Sequence, residues 1–203
     1  MIPRAYVITL QDTIGLPRWQ ATEAHLRERG VSFEPFLGIN GARWGLATTL
    51  VYAEDGPGTG FKIGSKTIGM TLSHYMLWKL FNYLEGDYWM VCEDDVRFHT
   101  DWRERLQRAL ETAPPDWDMI YAGSCNCGHG QHTQVGHGLY QVGFPMCTHC
   151  YIVRRKALLV LYETQQLAWA GIDLQLGFRS FPKLKVYTIL PRLAEQHETI
   201  ISP

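Results

Sequence analysis

Short apolar runs alternate along this chain with longer stretches in which apolar residues recur every three or four positions. The runs are rich in aromatic and β-branched residues, which is typical of buried strands, whereas the longer stretches have the period of amphipathic helices. Gly30 and Gly86 are each the last residue of a predicted helix and indicate its end. Strands are predicted over residues 4–10, 31–39, 87–92, 118–123, 148–153 and 185–190, and helices over 16–30, 69–86, 100–111 and 155–166.

Strands that alternate with helices predict one α/β domain over residues 1–203, with a Rossmann-type, mixed and largely parallel sheet and helices on both faces. In such sheets ligands bind at the carboxyl ends of the strands. Two segments lack any period and are predicted to be loops. One runs from Asn40 to about Lys66 and contains Gly56–Gly60, and the other is the glycine- and histidine-rich stretch 124–145.

Composition and charge exclude several classes of protein. The chain is 46% hydrophobic and 19% charged with a net charge of −1, which is ordinary for a globular domain and argues against a nucleic-acid partner. No stretch approaches the ~18 consecutive apolar residues that span a bilayer. The first ten residues lack the features of a signal peptide, so we expect a cytoplasmic protein whose five cysteines are reduced. Whether the chain is a domain of a longer protein stays open.

Three acidic residues, Glu93, Asp94 and Asp95, directly follow the apolar run 88–92. Adjacent carboxylates repel one another and are costly to bury unpaired, so we expect a positive group at the end of this strand. Glu93 and Asp95 are two positions apart and would share a face, which makes a hard oxygen site for Mg²⁺ or Mn²⁺. A diphosphate bound to that metal is then the natural ligand. The alternative is that these acids only begin a turn or cap a helix.

Several short motifs occur in an order that resembles glycosyltransferase family 25, which includes bacterial lipooligosaccharide galactosyltransferases and procollagen galactosyltransferases. They are YVITLQDTIGLPRW, IGMTLSHYMLW (with Gly69, Ser73, His74 and Trp78), VCEDDVRF, CYIVRRKAL, GIDLQL and ILPRLAEQHETIIS. The resemblance implies a GT-A fold and a metal-dependent enzyme with Mn²⁺ or Mg²⁺ as its cofactor. It also implies transfer of a hexose, with inversion, from a UDP-sugar donor to a saccharide or glycoconjugate acceptor.

The same resemblance implies roles for individual residues. Glu93 would reach the ribose or the metal, Asp94 would face the donor sugar as a catalytic residue, and Asp95 would be the principal metal ligand. His197 or Gln196 would be the further metal ligand. The residues expected to bind the donor are Thr9, Leu10, Arg18, Ile39, Asn40, Lys66, Ser73 and Glu93.

Asp173 is the candidate for the general base that takes the proton of the acceptor hydroxyl. Its alternative role is that of a helix cap, because Asp is a preferred capping residue. Other candidates have equally simple alternatives. Arg18 could pair on a helix surface, Lys66 could be solvated, His197 could be an exposed histidine, and His74 could be a core residue.

A cysteine- and histidine-rich segment offers a different function, that of a zinc-stabilised binding module. Cys147 and Cys150 lie in a predicted strand and would point to opposite faces, which disfavours joint ligation of a metal. A nucleotidyltransferase on a similar fold is a third possibility. The candidate zinc ligands are Cys125, Cys127, Cys147 and Cys150, with His129, His132, His137 and His149 nearby.

Overall fold

The computed structural model describes residues 2–12, 15–43, 64–125, 132–166, 168 and 170–197. The glycine-rich segment Gly56–Gly60 and the candidate zinc ligands Cys127 and His129 lie outside the described residues.

The described residues form an eight-stranded sheet and a separate two-stranded sheet. The strands are Ala5–Thr9 (β1), Phe33–Leu37 (β2), Tyr88–Glu93 (β3), Val96–Phe98 (β4), Met119–Gly123 (β5), Thr133–Gly136 (β6), Leu139–Gln141 (β7), Cys150–Arg154 (β8), Val186–Ile189 (β9) and Ala194–Gln196 (β10). The order in the larger sheet is β2-β1-β3-β8-β5-β9-β7-β6, and β10 pairs with β4 in the smaller one.

The large sheet is mixed, as the sequence predicts. Strand β1 is parallel to β2 and β3, and β5 is parallel to β9. Strand β8 is antiparallel to both β3 and β5, and β7 is antiparallel to β6 and β9. Because β8 runs against its neighbours, its first residue lies at the edge of the sheet where β3 and β5 end.

All four predicted helices are present, with shifted ends. The second ends at Phe81, and Gly86, at φ +121°, lies in the turn beyond it and not at the helix end. The first ends near Gly30, whose φ of +64° is readily available to glycine. The α-helices are Leu16–Glu28 (α1), Ser65–Phe81 (α2), Trp102–Thr112 (α3), Leu158–Thr164 (α4) and Ile172–Gln175 (α5); a π-helical turn, Leu176–Ser180, follows α5.

The two faces of the sheet contribute to two separate hydrophobic clusters, which confirms that helices cover both. Successive residues of β3 alternate, so that Met90 packs in the cluster with α1 and α3 whereas Val91 packs in the cluster with α2 and α4. Trp102 of α3 and Trp78 of α2 are almost fully buried in these clusters. Burial of a large apolar side chain contributes roughly 1.5–3 kcal/mol, so both faces stabilise the sheet.

Short strands are where the sequence prediction is wrong. The segment 124–145, predicted to be a loop, contains the hairpin of β6 and β7, and neither β4 nor β10 was predicted. Strand β8 begins at Cys150 and not at residue 148. Cys147 lies before the strand, so the prediction that placed it in the strand with Cys150 is wrong. Strands of three or four residues are too short to show a clear period, and two of the three residues of β10 are exposed.

Candidate functional site

The acidic cluster Glu93, Asp94 and Asp95 lies at the carboxyl end of β3 and is almost entirely buried, with 9%, 2% and 8% of each residue exposed. Arg18, on α1, supplies the expected positive group, because its Nη2 lies 2.5 Å from Asp94 Oδ1. Burial raises the pKa of Asp94, and the charge of Arg18 offsets part of that increase. Arg18 therefore pairs with the acidic cluster, not with a neighbour on its own helix surface.

A chain of hydrogen bonds from α2 and β8 leads to Glu93. Trp78 Nε1–H donates to the Tyr151 hydroxyl oxygen over 2.8 Å, and that oxygen lies 3.0 Å from His74 Nδ1. Tryptophan can only donate, and the Tyr151 hydroxyl oxygen accepts from it while it also contacts His74 Nδ1. His74 Nε2 faces Glu93 Oε1 at 3.4 Å, so this buried histidine is a neighbour of the acidic cluster.

Glu93 also accepts a hydrogen bond from the Thr148 hydroxyl over 2.5 Å. Burial raises the pKa of Glu93, but His74 and the Thr148 hydroxyl outweigh burial, and the pKa is lowered. The sequence prediction missed Thr148. Its position would have been evident only with the direction of β8 known, since Thr148 precedes that strand and reaches the end of β3.

Asp95 is held by the segment that contains β10. Gln196 Nε2–H donates to Asp95 Oδ2 over 2.8 Å, and burial together with the charge of Glu93 raises the pKa of Asp95 to about 6. The side chain of His197 is exposed, and its backbone N–H donates to the Asp95 carbonyl oxygen over 2.8 Å. Of the two residues predicted near the metal, Gln196 is thus the one whose side chain reaches Asp95.

A cleft of about 370 Å³ opens beside the acidic cluster, within the size range of small-molecule sites. Its walls come from the ends of β1 and β3, the start of α2 and the segment after β2. The structure brings together every residue predicted to bind the donor. These are Thr9, Leu10, Arg18, Ile39, Asn40, Lys66, Ser73 and Glu93, which line the cleft together with Asp94, Asp95, His74 and Gln196.

One wall depends on close backbone contact between α2 and residues 39–41. Ser73 Oγ–H donates to the Gly69 carbonyl oxygen over 2.7 Å, and the same Oγ accepts the Ile39 N–H over 2.8 Å. A Cβ at Gly69 would lie 2.5 Å from the Ile39 carbonyl oxygen and 2.6 Å from the Gly41 nitrogen. Glycine is therefore required at this position for the wall to keep its place.

Asp173 lies on α5 and is not among the residues that line the cleft. Its Oδ2 accepts the Cys147 N–H over 3.3 Å, and its Oδ1 accepts the Leu174 N–H over 2.9 Å. Gly171, not Asp173, occupies the N-cap position of α5, so the capping alternative does not hold. Burial raises the pKa of Tyr121, and the charges of Asp173 and Glu93 raise it further, so Tyr121 is within electrostatic range of both carboxylates.

The cysteines differ from the expectation of reduced thiols, because Cys125 and Cys147 form a disulfide. Cys147 has a φ of +68° in the turn before β8, and alternation along a strand therefore does not apply to it. Cys150 is a buried free thiol whose Sγ lies 3.8 Å from that of Cys92. The four cysteines of the predicted zinc set thus do not converge, since Cys150 lies in the core beside Cys92.

Two other histidines of the predicted zinc set, His132 and His137, are exposed beside the β6–β7 hairpin.

Within the described ranges, no helix combines the length and apolar character that a bilayer crossing requires.

The sequence profile of "Glycosyltransferase family 25 (LPS biosynthesis protein)" matches residues 2–136. The human protein "Inactive glycosyltransferase 25 family member 3" is 30% identical over 127 residues, which cover 60% of this chain and 21% of that protein. Procollagen galactosyltransferase 1-A of Xenopus laevis is 44% identical over 59 residues, covering 28% of this chain and 10% of that protein. The matched part of the chain spans about a fifth or less of the length of these relatives.

Among solved structures, a glycosyltransferase involved in the glycosylation of the major capsid of PBCV-1 superposes with a TM-score of 0.53 at 9% identity. The superposition covers 96% of this chain and 92% of that one. At this identity the likeness concerns the fold alone, and it confirms the predicted GT-A-like architecture.

Proposed function

The chain belongs to glycosyltransferase family 25, and from this premise we propose that it transfers a hexose from a UDP-sugar to a saccharide or glycoconjugate acceptor in a metal-dependent reaction. The observation that carries the proposal is the acidic cluster Glu93–Asp95, buried at the end of β3 on the wall of an open cleft. Carboxylates are costly to bury without compensation, and such groups are concentrated at functional sites.

The residues of the cluster fit a hard divalent cation such as Mn²⁺ or Mg²⁺. Asp95 Oδ1 is buried and has no hydrogen-bond partner among the described residues, and Arg18 contacts Asp94. Oxygen donors of this kind are the ligands that these ions prefer. Asp95 and Glu93 are the proposed ligands, with His197 as a third. A bound ion of this kind neutralises charge on a departing diphosphate.

The other walls of the cleft suit the remaining parts of a UDP-sugar. Thr9 and Leu10 at the end of β1, with Ile39 and Asn40 after β2, are proposed to flank the uridine. Lys66 lines the same cleft and is exposed, so its ammonium group can reach a diphosphate. Arg18 would act on the donor sugar through Asp94, whose carboxylate it orients, and Ser73 would support the uridine through its hydrogen bond to Ile39.

In an inverting transfer, a base takes the proton of the acceptor hydroxyl while the oxygen of that hydroxyl forms a bond to the anomeric carbon of the donor sugar. The bond from that carbon to the diphosphate breaks on the opposite face. Asp173 is the proposed base, and the backbone N–H groups of Cys147 and Leu174 orient its carboxylate. Asp94 is the proposed second catalytic group, which faces the donor sugar.

UDP-galactose is the first donor to test, because relatives of this chain are named procollagen galactosyltransferases. Another relative is named inactive, so donor binding and turnover need separate measurements. Calorimetric titration with UDP, UDP-galactose and UDP-glucose, with and without Mn²⁺, measures donor binding. UDP release in the presence of candidate acceptors measures turnover.

We expect manganese-dependent UDP binding that is lost in Asp95→Asn. The exposed Asp101, which lies outside the cleft, offers a matched control, and Asp101→Asn should bind as the wild type does. Absence of UDP binding with Mn²⁺, or equal binding in Asp95→Asn, would refute the proposed donor site. Binding without turnover on any donor would refute transfer and leave a nucleotide-binding member of the family.

A further inference from the structure

A second group of metal-ligating side chains lies near the acidic cluster and shares no residue with it. Cys125 Sγ, Cys147 Sγ and a ring nitrogen of His149 all lie within 4.8 Å of one another. Cys125 follows β5, whereas Cys147 and His149 precede β8, so the topology brings all three to one edge of the sheet. Two thiolates and an imidazole are ligands of Zn²⁺, while the carboxylates of the acidic cluster suit harder ions.

His149 has the surroundings of a histidine prepared to bind a metal. Only 1% of the residue is exposed, and its Nδ1 is buried with no hydrogen-bond partner among the described residues. Its Nε2 lies 3.4 Å from the Ala194 carbonyl oxygen. Metal-ligating histidines commonly donate their second ring N–H to such a carbonyl. A proton on Nε2 leaves the lone pair of Nδ1 available for a metal.

The sheet makes room for this imidazole at Gly123, the last residue of β5. A Cβ there would lie 2.4 Å from His149 Nε2 and 2.7 Å from the Ala194 carbonyl oxygen. Glycine therefore allows the imidazole and β10 to approach the end of β5 together. An unpartnered ring nitrogen costs free energy when it is buried, and a bound cation would remove that cost.

We propose that reduction of the Cys125–Cys147 disulfide converts this group into a site for Zn²⁺ or a similarly soft divalent ion, bound by Cys125, Cys147 and His149. A trialkylphosphine can supply the two electrons: it breaks the S–S bond and takes the oxygen of one water to become the phosphine oxide, and each sulfur gains a proton. Binding of the ion then releases the two thiol protons. The oxidised protein lacks the thiolates and does not bind the ion.

The proposed site would cross-link the same two segments in either state, because both the disulfide and the metal join the end of β5 to the turn before β8. That turn carries the Cys147 N–H, which holds Asp173. On the other side, Cys125 Sγ lies 3.5 Å from Gln196 Oε1, and Gln196 holds Asp95. The metal site therefore adjoins the proposed base and the acidic cluster without including either.

Titration with Co²⁺ tests the site, because a thiolate bound to cobalt gives a charge-transfer absorption that carboxylate ligands do not give. We expect phosphine-reduced protein to bind one equivalent of Co²⁺ with this absorption, and Zn²⁺ to displace it. The unreduced protein should not show the absorption. Zn²⁺ should also raise the Tm of the reduced protein, since a ligand that binds only the folded state stabilises it.

Variants separate this ligand set from the other candidates. Cys125→Ser and His149→Gln should each weaken Co²⁺ binding by more than about tenfold. Asp95→Asn and Cys150→Ala should retain the absorption, since neither residue belongs to the set. Cys125 is exposed, so its replacement with serine should not disturb the core. The reduced wild type also lacks the disulfide, and it is therefore the protein with which Cys125→Ser is compared. Absence of the absorption in reduced wild type, or its full retention in Cys125→Ser or in a folded His149→Gln, would overturn the proposal.

Discussion

Replacement of Asp95 with asparagine should stabilise the metal-free protein at neutral and alkaline pH, although the same change removes a proposed metal ligand. Asp95 is 8% exposed and lies next to Glu93, and burial and this like charge together raise its pKa from 3.8 to about 6. The ionised form of Asp95 is therefore less stable in the folded protein than in the unfolded chain. Asparagine has nearly the same shape and an oxygen that can accept the bond from Gln196.

The expected magnitude follows from the size of this pKa shift. A rise of roughly 2 units at about 1.4 kcal/mol per unit corresponds to about 3 kcal/mol. Well below a pH of about 4 both states bind the proton, and the raised pKa of Asp95 does not affect stability. As the pH rises to about 6, the unfolded chain has lost the proton while the folded protein keeps it, so stability falls; above that range the loss is constant.

Urea unfolding in the presence of a chelator, at about pH 4 and about pH 8, measures this difference. Asp95→Asn should gain about 3 kcal/mol over the wild type at the higher pH and only about 0.5 kcal/mol at the lower one. Addition of Mn²⁺ should stabilise the wild type and leave the variant unchanged. Asp101→Asn, at the exposed N-cap residue of α3, should differ from the wild type by less than about 0.5 kcal/mol at either pH, because asparagine is also a preferred capping residue.

Two results would refute this reasoning. A variant less stable than the wild type at the higher pH would mean that the Asp95 carboxylate is stabilising in the folded state, contrary to its burial beside Glu93. A gain of equal size at both pH values would mean that the substitution acts through packing and not through the charge.

Three further substitutions test other contacts of the site. Gly69→Ala should lower both UDP affinity and Tm, since its Cβ would meet a backbone oxygen at 2.5 Å. Gly64→Ala is the control and should change neither, because its Cβ would have nothing within 4 Å. If the two variants had equal effects in titration and calorimetry, the proposed wall would be contradicted. Thr148→Val should lower the free energy of unfolding in urea by about 1–3 kcal/mol because Glu93 loses a buried hydrogen bond. Thr148→Ser keeps the hydroxyl and should retain most of the wild-type stability. Asp173→Asn should lower kcat for UDP release at least about 100-fold with unchanged UDP affinity in calorimetry, and normal turnover would exclude it as the base.

The sequence predicted those parts of the fold whose pattern is long and periodic. Helix α3 has a buried stripe of Trp102, Leu106 and Ala109, and it lies where the period places it. The position of Glu93–Asp95 at a strand end followed from one apolar run. By contrast, the contact of Gln196 with Asp95 joins residues 101 positions apart through two strands of three residues each, and no local pattern indicates that pairing.

The partners of the cysteines could not be predicted for a related reason. Cys125 and Cys147 are separated by 22 positions and meet because β8 runs antiparallel to β5, which brings the turn before β8 to the end of β5. Strand direction depends on the packing of the whole sheet, and the local sequence does not indicate it. The same antiparallel strand brings Thr148 and His149 to the edge where β3 ends, and the sequence alone assigned neither of them to Glu93 or Asp95.

The short strand β10 can open locally, so the candidate site can lose order without unfolding of the whole protein. Ala194–Gln196 pairs with β4 outside the eight-stranded sheet. Gln196, its last residue, and His197, which follows it, both contact Asp95. Small, exposed elements open locally with less free energy than global unfolding requires. The cleft can therefore lose one side while the large sheet stays intact. Hydrogen exchange of the His197 amide would follow this opening, and slower exchange with Mn²⁺ and UDP would show that ligand binding orders β10.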